Sequence, residues 1–515
     1  MASDSDSEMK IQEDLELRTR IDRSLRHPVM FLFVSGAGWL AVALILGFIA
    51  SYKSHDSSFL AGIEFLNYGR VYPAHVNVLV YGWGCQAAFG LIIWLLARLS
   101  RSECNSAGII LTAAHLWNFG ILVGMLAILG GYGSGKPWME FPAAIWPVLL
   151  LSYLFITVWS FIQVRCSYGG RTYVGQWYLL AAVFWFPWIY LTGHLFVFVF
   201  DGHPVMAAGI NAWFRYALIL LFFAPVALGT AYYLTPKITG RPIYSYSLAL
   251  FGFWALAVIG PWAGMQKLAG GPLPQFMPYL GATATSLILI PGIAVGVNIL
   301  MTLRGHKSEV GASPSLRFTI AGIVAFVVLG LVGMGLNTPT GLKMTQFSLA
   351  SYGFEILAVY GFFSMCAFGG IYFIVPRITR REWLSRRFIR WHFWLTVYGI
   401  GTVVVCSIMG GIFQGAAQEA YNSSWHDAAT RNYAYNVGTT VAWFFIIFGS
   451  LFFLLHLLLM WARLGRRSQH PTLLGNAHHG ESPHGPEGDL DEAQTGEACL
   501  AQLLPLSDFD SLPRR

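Results

Sequence analysis

The chain has 515 residues, of which 56% are hydrophobic and only 11% charged, and its formal net charge is +7. Soluble domains carry about 25% charged residues, so these proportions exclude an ordinary water-soluble globule and predict a protein dissolved in lipid. The positive charge does not point to nucleic acid, because Lys and Arg lie in alternate loops between apolar runs rather than in one patch.

In chain order, the first 27 residues are charged and polar, so no cleavable signal peptide is expected and the first apolar run acts as its own insertion signal. A membrane-crossing helix needs roughly 20 apolar residues. Twelve such runs are read at 29–51, 74–97, 106–130, 141–164, 174–200, 210–234, 245–268, 279–303, 316–336, 347–374, 391–413 and 435–461. Backbone groups in a bilayer must be satisfied within the segment, so these are helices. The predicted fold is all-α: a polytopic membrane bundle of twelve transmembrane helices.

Basic residues concentrate in the loops after even-numbered spans, six of them in RITRREWLSRRFIR (377–390), and are sparse after odd-numbered ones. The positive-inside rule then puts both termini in the cytoplasm, and the expected location is the inner (cytoplasmic) membrane. Three regions follow: a cytoplasmic N-terminal segment (1–28), a membrane domain (29–464) and a tail (465–515). The tail is rich in Gly, Pro, Ser and charge and is expected to be disordered. Its histidines, His478, His479 and His484, read as a solvated stretch rather than a metal site.

The six cysteines form neither C-x-x-C nor C-x-x-C-H, which excludes a covalently attached c-type haem and argues against a disulfide framework. GxxxxGK[ST] is also absent, so no phosphate-cradling loop is expected. Chemistry, if present, must come from polar groups buried between helices. His75 is the first candidate, at the head of a long uncharged run in RVYPAHVNVLVYGWG (70–84). It is either an interfacial polar residue or an axial haem ligand.

Five stretches in order resemble the catalytic subunit I of the haem-copper oxidases, in particular its cbb-type (C-family) branch. They are GRVYPAHVNVLVYGWG (69–84), YVGQWYLLA (173–181), YYLTPKITGRPIYSYSLALFGFWAL (232–256), GVNILMTLRG (296–305) and GGIYFIVPRI (369–378). The resemblance covers roughly residues 60 to 400. It implies two haems and a copper held by six histidines, since imidazole suits both iron and copper. The second and tenth helices share the low-spin haem b. The tenth also holds the high-spin haem, and the sixth and seventh hold copper beside a tyrosine on the seventh.

Position by position, the resemblance puts the second-helix ligand on His75. The sixth-helix copper ligand falls on Tyr216, the seventh-helix His-His pair on Gln266 and Lys267, and the linked tyrosine on Gly260. The tenth-helix ligands fall on Phe354 (high-spin haem) and Ile356 (low-spin haem). Five of the six positions thus carry no histidine, and none occurs in spans six, seven or ten. His75, His115, His194 and His456 do lie in apolar spans, but none forms an adjacent pair.

Copper is therefore not expected, and the predicted role is a scaffold or interaction subunit of a respiratory electron-transfer complex. Its expected partners are membrane lipid and cytochrome c-type subunits. Two alternatives stay open. One is a haem-bearing terminal cytochrome c oxidase. The other is an electron-transfer or quinone-interacting subunit with one haem b at His75, for which His194 is the best second ligand. An unpaired mid-membrane charge costs about 2.5–3.5 kcal/mol on insertion scales, so Glu355, Lys267 and Arg215 are expected to form a buried polar network where metals would sit. An empty haem-sized space would be ruinous at about 24 cal/mol per Å³. Bulky side chains (Phe354, Tyr216, Trp213, Phe222, Phe223), lipid, quinone or helix collapse must fill it.

Overall fold

The structure is a computed structural model describing residues 2–165, 172–200, 203–305, 307–420 and 423–468. Its twelve long apolar helices correspond one for one to the runs above. They are α1 (Glu13–Lys53), α2 (Tyr68–Leu99), α3 (Ala107–Leu129), α4 (Trp146–Arg165), α5 (Val174–Val199) and α6 (Pro204–Thr239). The series continues with α7 (Tyr246–Leu268), α8 (Phe276–Thr302), α9 (Pro314–Leu336), α10 (Ala350–Thr379), α11 (Arg386–Glu419) and α12 (Trp425–Trp461). The first helix runs unbroken through the boundary drawn at residue 28. Residues 469–515, most of the expected tail, lie outside the described residues, whereas 465–468 run antiparallel to Arg380–Glu382 through Glu382 N–H to Arg466 O (2.9 Å).

Three helices, α2, α6 and α10, are wholly buried along their apolar windows, and the other nine surround them. Apolarity alone does not mark them as inner, because a lipid-facing span is equally apolar; their mean hydropathy is below that of the outer α1, α9 and α12. Each of the three inner helices contains a wider π-helical stretch: Val78–Cys85, Ile219–Phe223 and Leu357–Ser364. Such insertions are frequent at functional sites. Here His75 and Tyr216 each lie three residues before one, and Ile356 one residue before the third.

The pattern recurs along the chain. Pro236, Gly240 and Ser245, around the end of α6, reappear 140 residues later as Pro376, Arg380 and Ser385, around the end of α10. Both serines cap the next helix, accepting from Leu248 N (3.2 Å) and Phe388 N (3.4 Å), the usual way to satisfy orphan first-turn donors. Between the inner helices, Trp83 of α2 donates to Ser364 of α10 (2.8 Å) and stacks on Phe368.

One span departs from the expectation of a continuous helix over 245–268. In α7 the α-helical part ends at Ile259, and Gly260–Trp262 and Met265–Leu268 are separate 3₁₀ turns. Pro261 supplies no N–H for the ladder. Gly264 then adopts φ +109°, with room for no side chain: a Cβ there would lie 2.7 Å from Ala212 O and 2.9 Å from Trp213 Cα. The break brings the end of α7 hard against α6 and sets the direction of Gln266 and Lys267.

Candidate functional site

The site lies where the first halves of α2, α6 and α10 meet the end of α7. His75 is fully buried, its Nδ1 2.7 Å from the carbonyl oxygen of Ala43 in α1. A carbonyl only accepts, so Nδ1 carries the proton and Nε2 presents a lone pair. The Tyr352 hydroxyl, 3.3 Å away on α10, donates to it. Trp443 of α12 meets the ring edge-on at 5.2 Å. On the α1 side Gly47 packs so closely that a Cβ would lie 2.6 Å from His75 Cε1.

Tyr216 and Phe354, at two of the expected ligand positions, stack on each other with centroids 5.5 Å apart and planes at 22°. Both are buried, as is Ile356. An aromatic pair of this kind contributes about 0.5–1.5 kcal/mol beyond its burial, and it closes the gap between α6 and α10. Gln266, also fully buried, has its amide satisfied on both sides. Its Nε2 donates to Thr285 Oγ1 (2.8 Å) and Asn337 Oδ1 (3.1 Å), and its Oε1 accepts from Gly264 N (2.8 Å).

The charged groups are arranged unevenly. Arg215 Nη1 lies 2.5 Å from Glu355 Oε1, their side chains 15% and 10% exposed, while Trp138 Nε1 donates to Glu355 Oε2 (3.1 Å). Both carboxylate oxygens are thus engaged. Lys267 is not drawn into this pair; its Nζ donates to Ser351 Oγ (2.9 Å).

Sequence reading missed two contributors. Trp138 and Glu140 come from the segment between α3 and α4, where no apolar period marks them. Glu140 is buried and accepts from Asn77 Nδ2 of α2 (2.5 Å), which also donates to Pro73 O (2.8 Å). Burial pushes its carboxyl up to about 7, against the opposing pull of Asn77. The one signal was a lone acid among apolar residues in KPWMEFPAA (136–144). Away from the site, sequence reading also passed over His392, a further histidine inside an apolar span, fully buried and hydrogen-bonded through Nδ1 to the Tyr372 hydroxyl (2.9 Å) in the second half of α10.

His194 belongs to another cluster. Its Nδ1 donates to Tyr190 O (2.8 Å), and its ring packs on Tyr190, Trp146, Phe198 and Phe214, none of them a neighbour of His75. Among the described residues no three His, Cys, Asp or Glu side chains converge as a metal site.

The family model for cytochrome c and quinol oxidase polypeptide I matches residues 27–452, nearly the whole helical bundle. The chain belongs to this family. The oxidase polypeptide I likeness also appears against individual proteins. The "Cytochrome c oxidase subunit 1 homolog" of Azorhizobium caulinodans is 23% identical over 396 residues, 75% of this chain and 72% of that one. The "Cbb3-type cytochrome c oxidase subunit CcoN1" of Stutzerimonas stutzeri is 24% identical over 383 residues, covering 72% and 79%. "Cytochrome c oxidase subunit 1" of Rhodobacter capsulatus is 25% identical over 413 residues, 76% of each chain. At the positions where the resemblance would put six histidines, this oxidase polypeptide I chain has His75, Tyr216, Gln266, Lys267, Phe354 and Ile356.

Proposed function

We propose that this chain is a cbb-type subunit I homologue whose metal centre has been replaced by packed and paired side chains, and that it serves a respiratory complex as a membrane scaffold or interaction subunit. In this reading it sits in the inner membrane with both termini cytoplasmic and contacts cytochrome c-type subunits. The observation carrying it is the pairing of Tyr216 on Phe354, together with Arg215 on Glu355, at and beside the positions where ligands would stand. Copper does not fit: Tyr216, Gln266 and Lys267 offer no imidazole, and the Gln266 amide is already spent on Thr285, Asn337 and Gly264. A bis-histidine haem does not fit either, because Ile356 has no donor atom and the Nε2 lone pair of His75 is taken by Tyr352.

A second reading, one haem at His75, is favoured by a specific contact. Donation from Nδ1 to the Ala43 carbonyl is the outer-shell bond that usually orients a metal-binding imidazole. Tyr352 argues the other way. The test is copper content and oxygen uptake with reduced cytochrome c as donor, both on the purified full-length chain. No copper above background and no cyanide-sensitive uptake are expected; one copper per chain with turnover would overturn the proposal.

A further inference from the structure

The end of the bundle where α1 begins and α10 and α12 finish carries a feature unrelated to the site above. A pocket of about 430 Å³ is lined by Arg26, Arg380, Arg381, Arg463 and Arg467, with Thr379 and Ser468, and by no acidic residue among the described residues. It adjoins an apolar cleft of about 440 Å³ between α1, α3 and α12, formed by residues such as Met30, Val34, Leu111, Met460 and Trp461. Arg26, Thr379 and Arg463 line both. Among the described residues none of the five arginines is paired with a carboxylate. Two spend a donor on backbone: Arg26 Nε on Ile378 O (2.8 Å) and Arg381 Nη1 on Gly465 O (2.5 Å). Arg380, Arg463 and Arg467 have no side-chain hydrogen-bond partner at all among the described residues.

The backbone singles out two of them. Arg380 and Arg463 hold left-handed conformations, φ +54° and +60°, just past the ends of α10 and α12, where glycine is the usual choice. The counterpart of Arg380 after α6 is Gly240, at φ +68°. Glycine is thus what the turn requires, and arginine stands there twice at an energetic cost, both times facing one pocket. Strain of this sort is retained where the side chain has work to do.

We propose that this pocket binds the phosphodiester headgroup of an anionic phospholipid, with an acyl chain in the adjoining cleft. Guanidinium forks match phosphate oxygens, and basic pockets between helices at a membrane surface suit acidic headgroups. A clustered, carboxylate-free set of arginines calls for an anion, and the apolar cleft opening beside it calls for a chain rather than a free ion. The charge distribution assigns this end to the cytoplasmic leaflet.

The full-length protein in mild detergent is offered equal amounts of dioleoyl phosphatidylglycerol and dioleoyl phosphatidylcholine, and bound lipid is counted by native mass spectrometry. Preferential retention of phosphatidylglycerol is expected. In the Arg380→Gly/Arg463→Gly variant that binding should weaken by roughly thirtyfold, as expected for losing two basic contacts. The thermal midpoint should hold or rise, because both turns relax. Val34→Trp, which narrows the cleft, should weaken phosphatidylglycerol binding while leaving inorganic phosphate binding unchanged. Equal retention of the two lipids, an unaffected double glycine variant, or inorganic phosphate displacing phosphatidylglycerol as well as the lipid itself does would each overturn the proposal.

Discussion

Glu355→Gln should lower the stability of the protein in detergent by about 3–5 kcal/mol, the usual effect of removing one member of a buried ion pair. The amide keeps an oxygen for Trp138 but leaves the Arg215 guanidinium, 2.5 Å away in the parent, buried without its counter-charge. Arg215 already has one unsatisfied donor, Nε, so it has little to fall back on. Arg215→Met should be similarly damaging, because it strands the carboxylate. The double variant should be better than the sum of the two, since an apolar side chain beside a neutral amide restores electrical neutrality. Lys267→Met should cost less, because that ammonium is hydrogen-bonded to Ser351 rather than paired with Glu355. Thermal or denaturant unfolding of the four proteins, arranged as a cycle, measures this coupling; additive losses would show that the pair is not the unit described.

Between about pH 4.5 and 7 the protein should lose stability as pH rises, through Glu140. Unfolded, this carboxyl titrates near its ordinary 4.5; folded, burial raises it to about 7. Below 4.5 both states hold the proton and the group is neutral in the balance. Through the interval the unfolded chain releases its proton while the folded one keeps it, so ionisation favours unfolding. At 1.36 kcal/mol per pH unit the accumulated penalty above pH 7 is roughly 3 kcal/mol. Glu140→Gln can still accept from Asn77 and has no charge to bury. Its unfolding midpoint should gain on that of the parent as pH rises from 5 to 8. Parallel curves for the two proteins would contradict the assignment.

The helices were legible because a bilayer imposes a length of apolar sequence on every crossing, and each of the twelve runs obeys it. The inner position of α2, α6 and α10 was not legible, because the family-like motifs fall equally on α5, α7 and α8, which lie outside. Nor were their π-helical stretches, because these three helices are buried on every side and have no polar face whose rotation would betray an inserted residue. The break in α7 was foreshadowed by GPWAG (260–264), yet only the left-handed Gly264 explains why Gln266 and Lys267 point apart. The sequence suggested two cations for Glu355. Packing selects Arg215, on a helix facing α10, and turns Lys267 toward Ser351. Trp138 and Glu140 were hidden because a connecting segment has no period to betray which of its residues fold inward. The arginine pocket was visible only as a charged loop, until the ends of α1, α10 and α12 were seen to converge.

Whether the metal centre has truly been replaced is tested most directly by the dithionite-reduced minus air-oxidised absorbance spectrum of the purified full-length chain. With Ile356 and Phe354 at the tenth-helix positions and Tyr352 on the lone pair of His75, the account predicts a flat spectrum through the haem b α-band and Soret regions. Bands corresponding to two b haems per chain would contradict it.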